Sequence, residues 1–260
     1  MNARPVLRWH GGKWRLAPWI LSHLPEHKVY VEPYGGAGSV LIRKPRSYAE
    51  VYNDLDGEVV NLFNMVRERG QQLGGNLYLT PYARTEFVKS YEKSEDPLEQ
   101  ARRTVIRSFM GFGSNSHNKK TGFRSNSNRS GTTPAHDWKN YPDCLALTIE
   151  RLRGVVIEKR DAKEVMLAHD SENTLHYVDP PYLPETRDKG GDYRHEMNLQ
   201  DHLELLQFLK TLKGCVVLSA YNSNIYDDAL PGWQKHTKQA YADGARKRQE
   251  ILFINQEQVA

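Results

Sequence analysis

Apolar residues along the chain alternate between two spacings. Ala17, Ile20, Leu21 and Leu24 recur at the period of one helix face. Val29-Tyr30-Val31 is a short unbroken run that reads as a strand and enters Glu32-Pro33-Tyr34-Gly35-Gly36-Ala37-Gly38. Tyr48 to Tyr52 predicts a second strand ending at Asn53-Asp54. Leu55, Val59, Leu62, Phe63 and Val66 predict an amphipathic helix that stops near Gly70.

From about residue 71 the pattern changes. A helix carrying Leu98, Ala101, Val105 and Phe109 leads into a stretch rich in Gly, Ser and Asn, with interspersed bases and almost no aliphatics. It predicts a long loop or hairpin supported by helices. Strand signals then return. Val155 to Ile157 precedes Arg160-Asp161, Leu175 to Val178 runs into Asp179-Pro180-Pro181-Tyr182, and Cys215 to Leu218 runs into Ser219. Leu205, Leu206, Leu209 and Leu212 form a helix between the last two, and Ile251 to Ile254 closes the pattern. Strands alternating with helices predict an α/β fold, a doubly wound parallel sheet with helices on both faces. Residues 1–56 and 147–260 would form that domain, with residues 57–146 inserted as a helical and loop domain. The sequence contains no internal repeat.

Composition narrows the class. A hydrophobic content of 38% supports a core across 260 residues, and 26% charged residues give an ordinary water-facing surface. No apolar run reaches the roughly 18 residues of a membrane span, and the start lacks a signal peptide's apolar stretch, so no membrane partner and a cytoplasmic location are expected. Two cysteines, Cys144 and Cys215, give neither a disulfide framework nor a zinc-type spacing, and no metal is expected. The net charge of +4 is unevenly spread. Residues 101–140 carry Arg102, Arg103, Arg107, Lys119, Lys120, Arg124, Arg129 and Lys139 against one acid, Asp137. Concentrated basic charge is the footprint of a polyphosphate partner, although a solvated loop has the same composition.

The glycine turn after the first strand lets backbone approach a nucleotide-like ligand, and Asp54, ending the next strand, stands where an acid accepts from ribose hydroxyls. These features do not separate a nicotinamide dinucleotide from S-adenosylmethionine, but the missing third glycine argues against the former. Asp179-Pro180-Pro181-Tyr182 is more telling. Open α/β sheets bind ligands at the carboxyl ends of their strands. Two prolines fix the backbone and supply no amide hydrogens, leaving carbonyls to accept from an amine. The aspartate is a second acceptor, and the tyrosine offers a face for a base. An exocyclic amine on an aromatic ring is a poor nucleophile because its lone pair is delocalised. Two acceptors holding its hydrogens favour a pyramidal nitrogen and free the lone pair.

Trp9-His10-Gly11-Gly12-Lys13, Glu32 to Gly38, Asp54, the 57–146 insertion and Asp179 to Tyr182 follow one another in this order. In that order the chain resembles the Dam-like family of adenine-specific DNA methyltransferases across nearly its whole length. The resemblance implies transfer of methyl from S-adenosylmethionine to N6 of an adenine flipped out of double-stranded DNA, without a metal or an obligate protein partner, in settings that include restriction–modification. It implies that Trp9 and Lys13 line the cofactor pocket. Tyr34, Gly35, Gly36, Ala37 and Gly38 would wrap the methionine portion, and Asp54 would bind the ribose. Asp161 would meet the cofactor's adenine amine, and Asp179, Pro180, Pro181 and Tyr182 would hold the target base beside the donor methyl, with Asp179 close to the cofactor as well. DNA contacts are expected from Lys119, Lys120, Arg124, Asn126 and Arg129, the lysines on phosphates and Arg124 with Asn126 on base edges.

Two departures bear on specificity. Many members carry Ser-Asn after the strand that follows the proline turn, where this chain has Ser219-Ala220-Tyr221-Asn222. Residues 111–138 also lack the N-G-L-x-R-x-N pattern of GATC-specific members. Other chemistries fit less well. Ring-carbon methylation of cytosine needs a nucleophilic cysteine, usually after proline, and neither cysteine has that context. Amino-cytosine, RNA-adenine and protein-glutamine methylation, a non-catalytic DNA-binding module and a nicotinamide oxidoreductase remain as alternatives.

Overall fold

The computed structural model describes residues 4–116, 119–127, 131–187, 193–241 and 247–255. Arg129, expected at DNA, lies outside them. The strands are β1 (Val29–Glu32), β2 (Ala49–Asn53), β3 (Val155–Glu158), β4 (Thr174–Val178), β5 (Cys215–Tyr221), β6 (Gln234–Tyr241) and β7 (Lys247–Ile254). The helices are α1 (Ala17–Leu21), α2 (Ser39–Arg43), α3 (Gly57–Leu79), α4 (Arg84–Lys89), α5 (Pro97–Met110), α6 (Pro134–Lys139), α7 (Tyr141–Arg151), α8 (Ala162–Ala168), α9 (Leu199–Leu209) and α10 (Asn224–Ala229). They fall into two units. One comprises Arg15–Gly35, Lys44–Leu55 and Gly154–Ala260; the other comprises Met1–Trp14, Gly36–Arg43 and Asp56–Arg153.

The first unit holds the whole sheet, in the order β3-β2-β1-β4-β5-β7-β6. β1 to β5 are parallel, with Val31 opposite Val51 and His176, and Val178 opposite Leu218. Every residue of β4 is buried, which is why its apolar run is nearly continuous. The exception, His176, places Nε2 3.1 Å from Asp170, and burial pushes its pKa below the usual histidine value. The neighbouring core draws on Val165, Met166, Leu205, Leu206, Leu209, Val216 and Phe253. β1 pairs with β2 on one side and β4 on the other, so the winding reverses between β1 and β4. Ligands of open α/β sheets sit at the carboxyl edge of such a switch point.

The sheet is mixed rather than wholly parallel. β7 runs antiparallel to both β5 and β6, and β6 has no counterpart in the strand expectation. The edge strand begins Gln234-Lys235-His236-Thr237-Lys238-Gln239. Polar residues on an outermost strand leave no apolar signal to read and blunt edge-to-edge association.

The second unit is helical. Asp56 caps α3 by accepting from the Glu58 amide, and Asp96 caps α5 by accepting from Leu98. α3 does not stop near Gly70. It kinks at Arg69, with φ −132°, and continues to Leu79. Gly70 serves close packing, because a Cβ there would lie 2.5 Å from the Ile149 side chain of α7. Phe109, Trp138 and Tyr141 form an aromatic cluster, and the Tyr141 hydroxyl donates to the Val6 carbonyl at 2.9 Å.

Three of the eight bases counted between residues 101 and 140 face inward. Arg102 pairs with Glu99 at 2.7 Å and Glu86 at 2.9 Å, Arg103 pairs with Glu99 at 2.8 Å, and buried Arg107 pairs with Glu58 and donates to the Ser90 carbonyl. Their acids lie upstream of the counted window, so the charge turned outward is smaller than the count implied. The loop after α5 closes as a hairpin through a Gly111–Phe123 bridge, with Phe112 N–H on Gly122 O and Arg124 N–H on Met110 O, both 2.8 Å. Phe123 anchors it between Tyr82 and Phe87, with the Arg84 guanidinium over its ring.

Glu99 is held down at about 2, first by the hydrogen bond from Arg102 and further by Arg103, against the opposing effect of burial. An unfolded glutamate titrates at about 4.3, so the unfolded chain takes up this proton first as pH falls. The stabilisation should be complete above about pH 4.3 and lost progressively towards pH 2. Calorimetric Tm measured against pH should therefore show a shallower acid limb in Glu99→Gln than in the parent.

Candidate active site

Three neighbouring parallel strands of the sheet unit end in or beside acids: Glu32 on β1, Asp54 after β2 and Asp161 after β3. Their loops are tied together by one side chain that the motif reading passed over. Asn53 is fully buried; its Nδ2 donates to the Pro33 carbonyl at 2.9 Å and the Arg160 carbonyl at 3.0 Å, while its Oδ1 accepts from Arg160 N–H at 2.9 Å. Its own carbonyl accepts from Gly35 N–H at 2.7 Å. The signal in the sequence was an amide side chain at the end of an apolar strand, overshadowed by the acid beside it.

Glu32 is buried and accepts from the Tyr30 hydroxyl at 2.8 Å. Asp54 is half-buried, its amide 3.4 Å from the Glu158 carbonyl. Asp161 is exposed and caps α8, Oδ1 accepting from the Lys163 and Glu164 amides. Burial, then Asp161 and Asp201, raise the Tyr34 hydroxyl far above the usual tyrosine pKa. Gly35 packs so tightly on the Tyr52 ring that a Cβ would lie 2.2 Å from it. Carboxylates accept and do not donate. Such a set suits a ligand rich in donors and positive charge, as S-adenosylmethionine is with its ammonium, sulfonium, ribose hydroxyls and adenine amine.

The turn after β4 carries Asp179 and Pro181 half-buried, and Pro180 and Tyr182 buried. Tyr182 is only 4% exposed; its hydroxyl donates to Glu250 at 2.8 Å and lies 2.8 Å from Ser219 Oγ. Its ring meets Tyr221 edge to face, with centroids 4.5 Å apart. Burial first, then Asp179 and Glu250, push its hydroxyl pKa far up, so it stays protonated. Neighbouring His202, on α9, is pushed down to about 4 by burial and is neutral at physiological pH; its Nδ1 lies 3.0 Å from the Tyr226 hydroxyl. Glu250 and His202 escaped the motif reading because the polar residues just before them, Arg248-Gln249 and Gln200-Asp201, give them the look of solvent-facing positions, and Ser219 was read only as part of a departure from the family pattern, without its contact to Tyr182.

In the helical unit, Trp9 is half-buried and Lys13 is buried, its Nζ donating to the Gly11 carbonyl at 2.7 Å. Gly36 and Gly38 have φ of +48° and +61°, which other residues rarely adopt. A Cβ on Gly36 would lie 2.6 Å from Trp9 Nε1, so this glycine admits the indole edge. Ala37 beside them is buried. On the hairpin, Lys119, Lys120 and Asn126 are exposed. Arg124 is half-buried, its guanidinium donating to the Phe109 carbonyl at 3.0 Å. A base contact by Arg124 would have to exchange that bond.

Burial raises the Cys215 thiol to about 12 inside β5, so it cannot serve as a nucleophile. Among the described residues no group of three or more His, Cys, Asp or Glu could hold a metal ion, and no helix is long and apolar enough to cross a membrane.

The mixed seven-stranded sheet with its switch point and a proline-locked aspartate turn at the carboxyl edge fits the fold of an α/β methyltransferase. Residues 9–252 match the D12 class N6 adenine-specific DNA methyltransferase family, and the chain belongs to it. It is 26% identical over 192 residues to the DNA adenine methylase of Vibrio cholerae serotype O1, an alignment covering 70% of this chain and 66% of that one. It is 32% identical over 105 residues to the DNA adenine methylase of Escherichia coli strain K12, covering 38% and 37%. Over 286 aligned positions it is 26% identical to the Type II methyltransferase M1.LlaDCHI of Lactococcus lactis subsp. cremoris, covering 98% and 96%. The chain thus spans just under two thirds of the Vibrio relative and nearly all of the Lactococcus one.

Removing the Asn53 side chain leaves two carbonyls and one amide unmet. At about 1–3 kcal/mol for a buried polar group left without a partner, partly relieved by water, Asn53→Ala should cost about 2–4 kcal/mol. Urea denaturation should register that loss, and calorimetry should register at least about tenfold weaker S-adenosylmethionine binding.

Proposed function

We propose that the protein methylates N6 of an adenine flipped out of double-stranded DNA, using S-adenosylmethionine. The observation that carries this reading is the Asp179–Tyr182 turn at the carboxyl end of β4, beside the switch point, in a chain of this family. When bound, S-adenosylmethionine supplies an electrophilic methyl on its sulfonium. The chain's own part is to hold and orient. Asp54 accepts from the ribose hydroxyls, Asp161 from the cofactor's adenine amine, and Trp9, Lys13 and Tyr34 to Gly38 enclose the remainder. Asp179 and the backbone carbonyl of the proline turn accept the two hydrogens of the target amine, which localises the lone pair for in-line attack. Pro180 and Pro181 keep that turn rigid, and Tyr182 stacks on the base, offsetting the few kcal/mol that leaving the helix stack costs.

Residues 1–56 and 147–260 would act as the catalytic domain and residues 57–146 as the target-recognition domain. Lys119 and Lys120, exposed on the hairpin, suit phosphates. Arg124, Asn126 and Arg129 suit base edges or further phosphates. The near full-length likeness to a Type II methyltransferase supports a restriction–modification setting, in the cytoplasm where DNA and cofactor meet.

The test is Asp179→Ala. Methylation, followed by transfer of labelled methyl to DNA, should fall by at least about 10³-fold, as expected when an interaction made mainly in the transition state is removed. Calorimetric S-adenosylmethionine affinity should change by less than about tenfold, the lower end of what a hydrogen bond to a charged group is worth. Retained turnover would remove Asp179 from the reaction.

A second measurement addresses the hairpin. Lys119→Ala and Lys120→Ala should each weaken binding to all DNA sequences alike and lower the slope of log affinity against log salt by about 0.9 per lost phosphate contact. Filter binding across a salt series reads this directly, and an unchanged slope in both variants would leave the hairpin as a solvated surface.

A further inference from the structure

Glu250 stands at the head of the buried run Ile251-Leu252-Phe253-Ile254 and is itself 5% exposed. An apolar side chain there would avoid the cost of burying charge, so a carboxylate at this position calls for a purpose. What it meets is the far end of Tyr182. The phenol has one proton and donates it to Glu250 Oε2, so Ser219, 1% exposed, must be the donor in the second contact. The three groups come from the turn after β4, from β5 and from β7. In the register of β5 and β7, Glu250 lies opposite Tyr221, whose ring meets Tyr182. One strand pair therefore governs both the end and the side of the Tyr182 ring.

We infer that Glu250 and Ser219 are positioning residues that lock the Tyr182 ring in the orientation required to receive the extruded base. The inference rests on the reading of Tyr182 as the stacking residue. The two hydrogen bonds fix where the hydroxyl lies and so the swing of the ring about χ1, while the edge contact with Tyr221 sets its rotation about its own long axis. They also keep the hydroxyl out of competition for the target amine.

The experiment uses a duplex carrying the site found methylated in host DNA after expression. It measures single-turnover methylation, the fluorescence of 2-aminopurine at the target position, and S-adenosylmethionine affinity by calorimetry. Glu250→Leu should slow methylation about tenfold, the order that one hydrogen bond on a positioned group gives, and shift the 2-aminopurine signal with cofactor affinity unchanged. Glu250→Gln keeps an oxygen that accepts the phenol proton and should stay within about threefold of the parent. In a Tyr182→Phe background, Glu250→Leu should cause no further loss. The proposal is overturned if Glu250→Leu keeps the parental rate, or if its loss is the same with and without the Tyr182 hydroxyl. Should Glu250→Leu fail to fold, Ser219→Ala takes its place in the same cycle with the same deciding outcomes. Tyr182→Leu separates the two levels. Unchanged rate and fluorescence there would remove stacking itself, whereas a loss there combined with additive Glu250 effects would remove only the lock.

Discussion

The exits of β1, β2 and β3 at the carboxyl edge of the sheet are held together by one carboxamide. Asn53 offers two donors and one acceptor to backbone groups of two other loops, and its own carbonyl holds Gly35. A parallel sheet fixes the spacing of its strands but leaves their exit loops free to diverge. Joined at Asn53, the exits of β1, β2 and β3 have one relative geometry. Asp54 and Asp161, each adjacent to a residue in that set of bonds, are presented as fixed acceptors. An acid at position 53 could accept but not donate, which is why the amide precedes the carboxylate in this pair.

The same economy governs charge. Acids at the carboxyl edge of the sheet are left in pairings that preserve their acceptor character, such as Glu32 with the Tyr30 hydroxyl. In the helical unit, by contrast, arginines and acids neutralise each other. Glu99 takes two guanidinium partners and α5 is pinned along its length to α4 and its neighbours. On the hairpin, Lys119 and Lys120 are exposed. The net charge of the chain alone carries little of this.

Much of the fold was legible because parallel strands buried on both faces must be largely apolar, and β1, β2, β4 and β5 are, apart from Glu32, Glu50, Asn53, Thr174, His176 and Ser219. The turn chemistry was legible as well, since adjacent prolines after an aspartate at a strand end have few structural uses. What escaped has a common cause. β6 is an edge strand of polar residues and offers no periodicity. Gly70 has the composition of a helix stop, yet it marks where Ile149 approaches, a fact about a residue 79 positions away. Arg102, Arg103 and Arg107 read as outward charge only because their acids lay outside the window. Asn53 and Glu250 are buried polar residues whose partners are far off in sequence, and the contact of Ser219 with Tyr182 was hidden for the same reason. Sequence patterns report which face a residue takes; they do not report with whom a buried polar atom is paired.

The position of β7 has a consequence for how the protein comes into being. It is the latest of the described strands to leave the ribosome, and β6, which pairs with no other described strand, joins the sheet only through it. A nascent chain can complete the proline turn and all five parallel strands while the place of β7 is still empty. During that interval Tyr182 has no carboxylate to hold it. The hydrogen bond that holds the Tyr182 hydroxyl on Glu250 can therefore form only once β7 has paired with β5, which couples the order of the turn after β4 to the addition of the last strand pair.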